Sequence, residues 1–315
     1  MDVLDWLLDS DPAVRWQVLR DLTDAGPDEV RAERARVADD GWGARLLAGR
    51  DPDGQWAGGA CFPAGFDGDF SAGQPWTSTY PTLSLLCDLG VDPSAAVMRD
   101  AIAAVAANCR WEYAGEPFFD GEVEPCINGR LVRIGVYFGQ DMTPVVDRLL
   151  GEVQADGGWN CDAPHASVRS SFDTTMAVLE GLLAYERAGF GSEAVTAARR
   201  SGEEYLLTRA LMRRRSTGEI GRDQWLRFAF PTWWHYDVLR ALEHFRAAGS
   251  TPDPRLTEAI DVVRSKQQPD GRWLLDHTWP GATQLRMEGP DGSPSRWITL
   301  HASRVLRWWD SAGAA

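Results

Sequence analysis

The chain has 315 residues, 44% of them hydrophobic, which is enough for a large core. With 32 basic residues against 46 acidic ones the net charge is −14, which argues against nucleic acid or an anionic membrane surface as partner. The five Cys are scattered without a CxxC pair, the opening MDVLDWLLDSD is no signal peptide, and no run is long enough to span a membrane, so a cytoplasmic protein with reduced thiols is expected.

Apolar residues recur at helical spacing along most of the chain. PAVRWQVLRDL is the first such pattern, followed by the more polar PDEVRAERARVADD. STYPTLSLLCDLG puts Leu83, Leu86 and Cys87 on one face and stops at Gly90; DPSAAVMRDAIAAVAAN follows it. CINGRLVRIGVYFG pairs with MTPVVDRLLGEV. RSSFDTTMAVLEGLLAYE, with Ser170 or Ser171 as its cap, pairs with GSEAVTAARRSGEEYLL. PTWWHYDVLRALEHF pairs with PRLTEAIDVVRSKQ, and SRWITLHASRVLRWW closes the series. No stretch alternates with period two. The pattern predicts an all-α chain of about six alternating helix pairs, 1–315 as a single domain, stacked as a solenoid or closed into a ring so that neighbouring pairs share one core. The Gly/Pro-rich stretches 51–75 and 278–294 read as long loops within that rhythm.

Three short segments repeat. DPDGQW (51–56), QADGGW (154–159) and QPDGRW (268–273) all end in Asp-Gly-x-Trp, with Trp56, Trp159 and Trp273 spaced 103 and 114 residues apart. Gly permits the tight turn, Asp suits it, Gln can bond free backbone groups at a helix end, and the Trp packs over them. A mechanical role is expected for these residues.

In the second and third copies, Gln154 to Trp159 and Gln268 to Trp273 form Gln-x-x-Gly-x-Trp. This resembles the Gln-Trp motif of squalene and oxidosqualene cyclases, and the repeat style of the β subunits of protein prenyltransferases. The resemblance implies an (α/α)6 toroid of alternating inner and outer helices. The first copy departs from it, with Arg50 where the motif would place Gln. The resemblance further implies an enzyme acting on a hydrophobic, isoprenoid-derived small molecule in a central cavity. The cyclases protonate an alkene with a DxDD motif, which this chain lacks; FDGDF, with Asp67 and Asp69, is the nearest approach and reads as a turn. No DDxxD cluster is present either, so a DxDD protonation mechanism is not expected.

Polar and aromatic residues near the starts of the inner helices are the candidate site. Trp76, Tyr80, Trp234, Tyr236 and Trp297 are expected to bind substrate as cavity wall, their π faces suited to cationic intermediates. Arg130 and Arg296 are expected to anchor an anionic group. His235 with Asp173 reads as an acid–base pair. Asp237 is a second carboxylate close by, although residues two apart do not share a helix face. The toroidal prenyltransferases bind zinc through an Asp, Cys, His set. By that resemblance Cys126, Cys161 and His235 are the candidate ligands here, and zinc the implied cofactor. The family's Asp-x-Cys pair is missing, Trp159 standing two before Cys161. His165 is a weaker addition, in the NCDAPH segment that the other two copies lack. The sole Lys, Lys266, is the only Schiff-base candidate. Two rival readings remain: a non-catalytic helical-repeat binding or scaffold protein, or a β-subunit-like zinc protein needing a partner chain.

Overall fold

Each Asp-Gly-x-Trp segment ends one helix and fixes the start of another by the same set of bonds. The turn closes through Asp51 N to Gln55 O, Gln154 N to Gly158 O and Gln268 N to Arg272 O, each 2.8 Å. Gly54, Gly157 and Gly271 take positive φ of 95°, 98° and 84°, where a side chain is strained. The indole N–H of Trp56, Trp159 and Trp273 donates to the carbonyl ten residues back, on Leu46, Leu149 and Val263, at 2.7–2.8 Å. Each Trp backbone N–H donates to a Thr hydroxyl in the first turn of a later helix, Thr79, Thr175 or Thr299. The amides of Gln154 and Gln268 donate to the carbonyls of Glu152 and Lys266, which terminate the preceding helices. In the first copy the residue at the Gln position is Asp51, not Arg50: register is set by distance from the Trp and by the shared turn bond.

The computed structural model describes residues 2–162, 168–249 and 251–313. Among them all regular secondary structure is helical, and β pairing is confined to isolated bridges. The chain divides into two compact units.

The first unit comprises Met1–Glu122, Tyr137–Gln140 and Trp279–Gly289. It holds α1 (Val3–Leu8), α2 (Pro12–Leu22), α3 (Pro27–Ala35), α4 (Gly41–Ala48), α5 (Thr79–Leu89) and α6 (Ala96–Asn108). The sequence pattern did not show α1 or α4, which are only 6 and 8 residues long. Asp11 caps α2, with Pro12 behind it, and Gly90 ends α5 in the left-handed conformation at φ 79°. Trp16 of α2 donates its indole N–H to Leu89 O at 2.8 Å, and a Cβ on Gly90 would strike that indole. Asp67 and Asp69 lie in an exposed loop, their carboxylates accepting from backbone two residues on, as in a turn.

The second unit comprises Val123–Val136, Asp141–Thr278 and Pro290–Ala315. It holds α7 (Pro125–Tyr137, whose last residue belongs to the first unit), α8 (Thr143–Gly151), α9 (Phe172–Tyr185), α10 (Glu193–Leu207), α11 (Val238–Ala247), α12 (Thr257–Ser265) and α13 (Arg296–Gly313). Ser171, not Ser170, caps α9, its hydroxyl accepting from Thr174 N. α9 packs on α10 and α11, and α11 on α12 and α13. Leu179, Leu206, Leu242, Ile260 and Ile298 share one apolar core. α7 and α9 meet through glycines: a Cβ on Gly129 would lie 2.6 Å from the backbone of Ala177 and Val178, and one on Gly181 would lie 2.2 Å from Gly129 O.

One expected helix is shorter than its pattern. PTWWHYDVLRALEHF is helical only from Val238. Trp233 takes φ 48°, and Asp237 adopts an extended conformation as the cap of α11, its carboxylate accepting from Arg240 N at 2.8 Å. His235 and Asp237 therefore lie ahead of the helix, and a helical-face argument does not apply to them.

Candidate functional site

α7 begins at Pro125, which suits a first helical position because it has no N–H to leave unsatisfied. This puts Cys126 in the first turn and Glu124 just before it. Cys161 comes from another segment, two residues beyond Trp159. The indole bond to Leu149 fixes that segment to the end of α8, and the Thr175 contact fixes it to the start of α9. The ligand atoms of Glu124, Cys126 and Cys161 all lie within 4.8 Å of one another. Cys126 Sγ donates to Glu124 Oε2 at 3.4 Å, and Cys161 Sγ lies 3.3 Å from Thr174 Oγ1. The hydrogen bond from Cys126 pushes the Cys161 thiol down, helped by Thr174; its counterpart pushes the Cys126 thiol up, with burial adding to the effect. One negative charge on sulfur is thus favoured at Cys161. The thiols of Cys126 and Cys161 are half-buried, whereas Cys61, Cys87 and Cys109 are buried, and burial pushes Cys109 up to about 12.

A buried charged group occupies the same unit. Arg130, four residues after Cys126 and so on the same face of α7, is buried and donates to Trp233 O. Arg240 binds Glu180 through two bonds of 2.8 Å and also donates to the carbonyls of Trp234 and His235. Burial acts to raise Glu180, but Arg240, Arg130 and Arg133 outweigh it and hold the carboxyl at about 2. Burial pushes Asp237 up to about 7. His235 is pushed down to about 3 by burial and by the positive charge of Arg240, with His277 and Arg130 adding to it, so its imidazole is neutral at neutral pH.

The sequence-predicted residues divide by placement. Cys126 and Cys161 come together, and their third companion is Glu124; His235 is not in that group. Asp173 accepts from the backbone N–H of Tyr236 at 2.8 Å, one residue beyond His235. Tyr236 belongs to the core rather than to an open wall: it is 1% exposed, its hydroxyl donates to Leu211 O, and its ring packs with Phe172 and Trp225. Trp297 is also buried, stacked on Phe230 at 4.2 Å. Trp234 is 41% exposed and Arg296 half-buried at the start of α13. Trp76 and Tyr80 lie buried in the first unit, Trp76 bonded to Pro280 O and Tyr80 against Trp111. Lys266 is paired with Asp276 at 2.7 Å. His165 lies outside the described residues. Sequence reasoning missed Glu124, Glu180 and Arg240. Glu124-x-Cys126 at a helix start was a visible signal; Glu180 and Arg240 looked like ordinary charges on amphipathic helices.

Comparisons with known proteins add little to this geometry. No family model matches the chain, and no curated protein does. Among solved structures it is similar to the apo type II terpene cyclase MstE from Scytonema, with 16% identity and a TM-score of 0.45 over 96% of this chain and 88% of that one. A single-residue variant of that cyclase gives 15% identity and a TM-score of 0.37 over 90% and 97% of the two chains. Likenesses this distant fix neither family nor activity. Among the described residues no helix is long and apolar enough to cross a membrane.

Proposed function

We propose that this chain is a squalene-cyclase- or prenyltransferase-like enzyme that acts on a hydrophobic, isoprenoid-derived small molecule and holds a divalent metal ion, zinc by preference, on Glu124, Cys126 and Cys161. The convergence of those three ligand atoms within 4.8 Å carries the reading. The donor set fits: zinc accepts two thiolates and a carboxylate, and two sulfurs on a tetrahedral zinc stand roughly 3.8 Å apart. Three protein ligands would leave a fourth position for water or substrate, and the ion would supply Lewis-acid activation of what binds there.

The chain's own residues would do the rest. Arg130 and Arg296 would anchor an anionic group on the substrate, and Trp234 would offer its exposed ring to an apolar or cationic portion. His235 is pushed too low to serve as a base near neutral pH; its neutral imidazole would instead hydrogen-bond the substrate, positioned by Asp173 through the Tyr236 amide. The three matching Asp-Gly-x-Trp turns and the alternation of helices support a single (α/α)6 toroid over 1–315 with the substrate in its centre. Metal analysis of protein purified without chelator tests the reading. One zinc per chain is expected, lost in Cys126→Ala and in Cys161→Ala. Zinc retained in both variants, or absent from the unaltered protein, overturns it.

A further inference from the structure

Of the five thiols, only Cys126 and Cys161 are both half-buried and close enough to react with each other. They lie 35 residues apart in sequence, one in the first turn of α7, the other in the segment that Trp159 anchors. A disulfide needs its sulfurs at about 2.05 Å. From a separation within 4.8 Å the remaining travel is under about 3 Å, within reach of a χ1 change at one cysteine. The contacts that such a rotation gives up are weak. Cys161 leaves Thr174 Oγ1, which keeps its 2.8 Å bond from the Ser171 hydroxyl, and Cys126 leaves the exposed Glu124.

We propose that Cys126 and Cys161 are a redox pair that forms a reversible disulfide under a low-molecular-weight disulfide, closing the Glu124–Cys126–Cys161 centre to metal. One cysteine, as thiolate, attacks a sulfur of the oxidant RSSR; a protein–S–S–R bond forms and RS⁻ leaves. The second cysteine attacks the protein sulfur of that mixed disulfide, the Cys126–Cys161 bond forms, and a second RS⁻ leaves. The two thiol protons pass to the two RS⁻, and the two electrons lost by the protein pair reduce RSSR to two RSH. The disulfide has no thiolate left to bind an ion, so oxidation releases the metal. The pairing of the sulfurs stands independently of metal binding; its effect on activity rests on the metal reading above.

The test uses the full chain, treated with chelator and then with oxidised glutathione, followed by thiol counting after denaturation and by peptide mapping. Free thiols should fall from five to three, with Cys126 and Cys161 in one linked peptide pair, and a reductant should restore all five. Cys126→Ser should stop at a glutathione adduct on Cys161; mapping of the unaltered protein decides by itself where that variant fails to fold. Five thiols after oxidation, or a link between other cysteines, overturns the inference. A linked pair in a chain that never binds zinc sustains this inference and sinks the metal reading. Zinc bound at both cysteines with no linked pair after chelation does the reverse.

Discussion

Glu180 on α9 and Arg240 on α11 meet through two parallel hydrogen bonds of 2.8 Å, and the Arg side chain is only 6% exposed. Removing Glu180 leaves the buried Arg240 charge without its ion-pair partner. Glu180→Gln should therefore cost about 3–5 kcal/mol in denaturant unfolding. The pH dependence follows from the depressed carboxyl. With its value lowered from 4.5 to about 2, the folded state binds fewer protons than the unfolded chain in between. The stabilisation is fully present above the unfolded value and is lost as pH falls through about 2. The unaltered protein should lose more stability over that acid range than the Gln variant; parallel losses would show that the pair contributes nothing there.

Asp237 behaves in the opposite sense. Burial raises it from 3.8 to about 7, so between those values the folded protein holds a proton that the unfolded chain has released. Its contribution falls as pH rises through that window. Asn caps helices as well as Asp. Asp237→Asn should remove this loss of stability between about pH 4 and 7 while keeping α11, as read by urea midpoints across pH.

His235, pushed down to about 3, should not gain a proton in the range where free imidazole does. Its ring resonances should stay constant from about pH 8 to pH 5 in an NMR titration. A midpoint near 6.5 would show that burial and the neighbouring arginines do not depress the imidazole.

The three repeat indoles should be energetically equivalent in kind. Trp159→Phe and Trp273→Phe keep an apolar ring but leave the Leu149 or Val263 carbonyl without its indole donor. Each should destabilise by about 1–3 kcal/mol in chemical denaturation. Trp159→Phe should also weaken metal binding, because Cys161 hangs from the same segment; Trp273→Phe should not.

Gly129→Ala would drive a methyl into the backbone of α9, and the helices must part. The expected cost is about 1–3 kcal/mol. Because α7 carries Cys126, zinc affinity measured by competition with a chelator should fall as well. Glu124→Gln should weaken zinc by roughly tenfold or more without a comparable loss of stability, since Glu124 is exposed.

Much of the frame was legible in the sequence because its signals are local. Apolar spacing marked the longer helices, Gly90 marked the end of α5, and Ser170 or Ser171 the start of α9. The Asp-Gly-x-Trp repeats announced turns whose closing and indole bonds span ten residues or fewer. Short-range bonds and helical periods depend on neighbours in the chain, and the chain states them. The same local reading failed at 231–237, where a helical apolar pattern gives way to Trp233 at positive φ and the Asp237 cap.

The site was decided at longer range. By resemblance the sequence grouped Cys126 and Cys161 with His235, but the packing of α7, α9 and the turn at Trp159 puts Glu124 beside the two thiols instead; glycines at 129 and 181 set how close α7 and α9 come. Tyr236 and Trp297 read as wall residues and are core, because an aromatic at a helix start has no signature for the direction it faces. The sequence by itself determined helices, turns and the residue types available for chemistry. Only the tertiary structure decided that Glu124 joins the two thiols and that His235 sits among arginines, because charge and proximity across separate helices are properties of packing and not of sequence spacing.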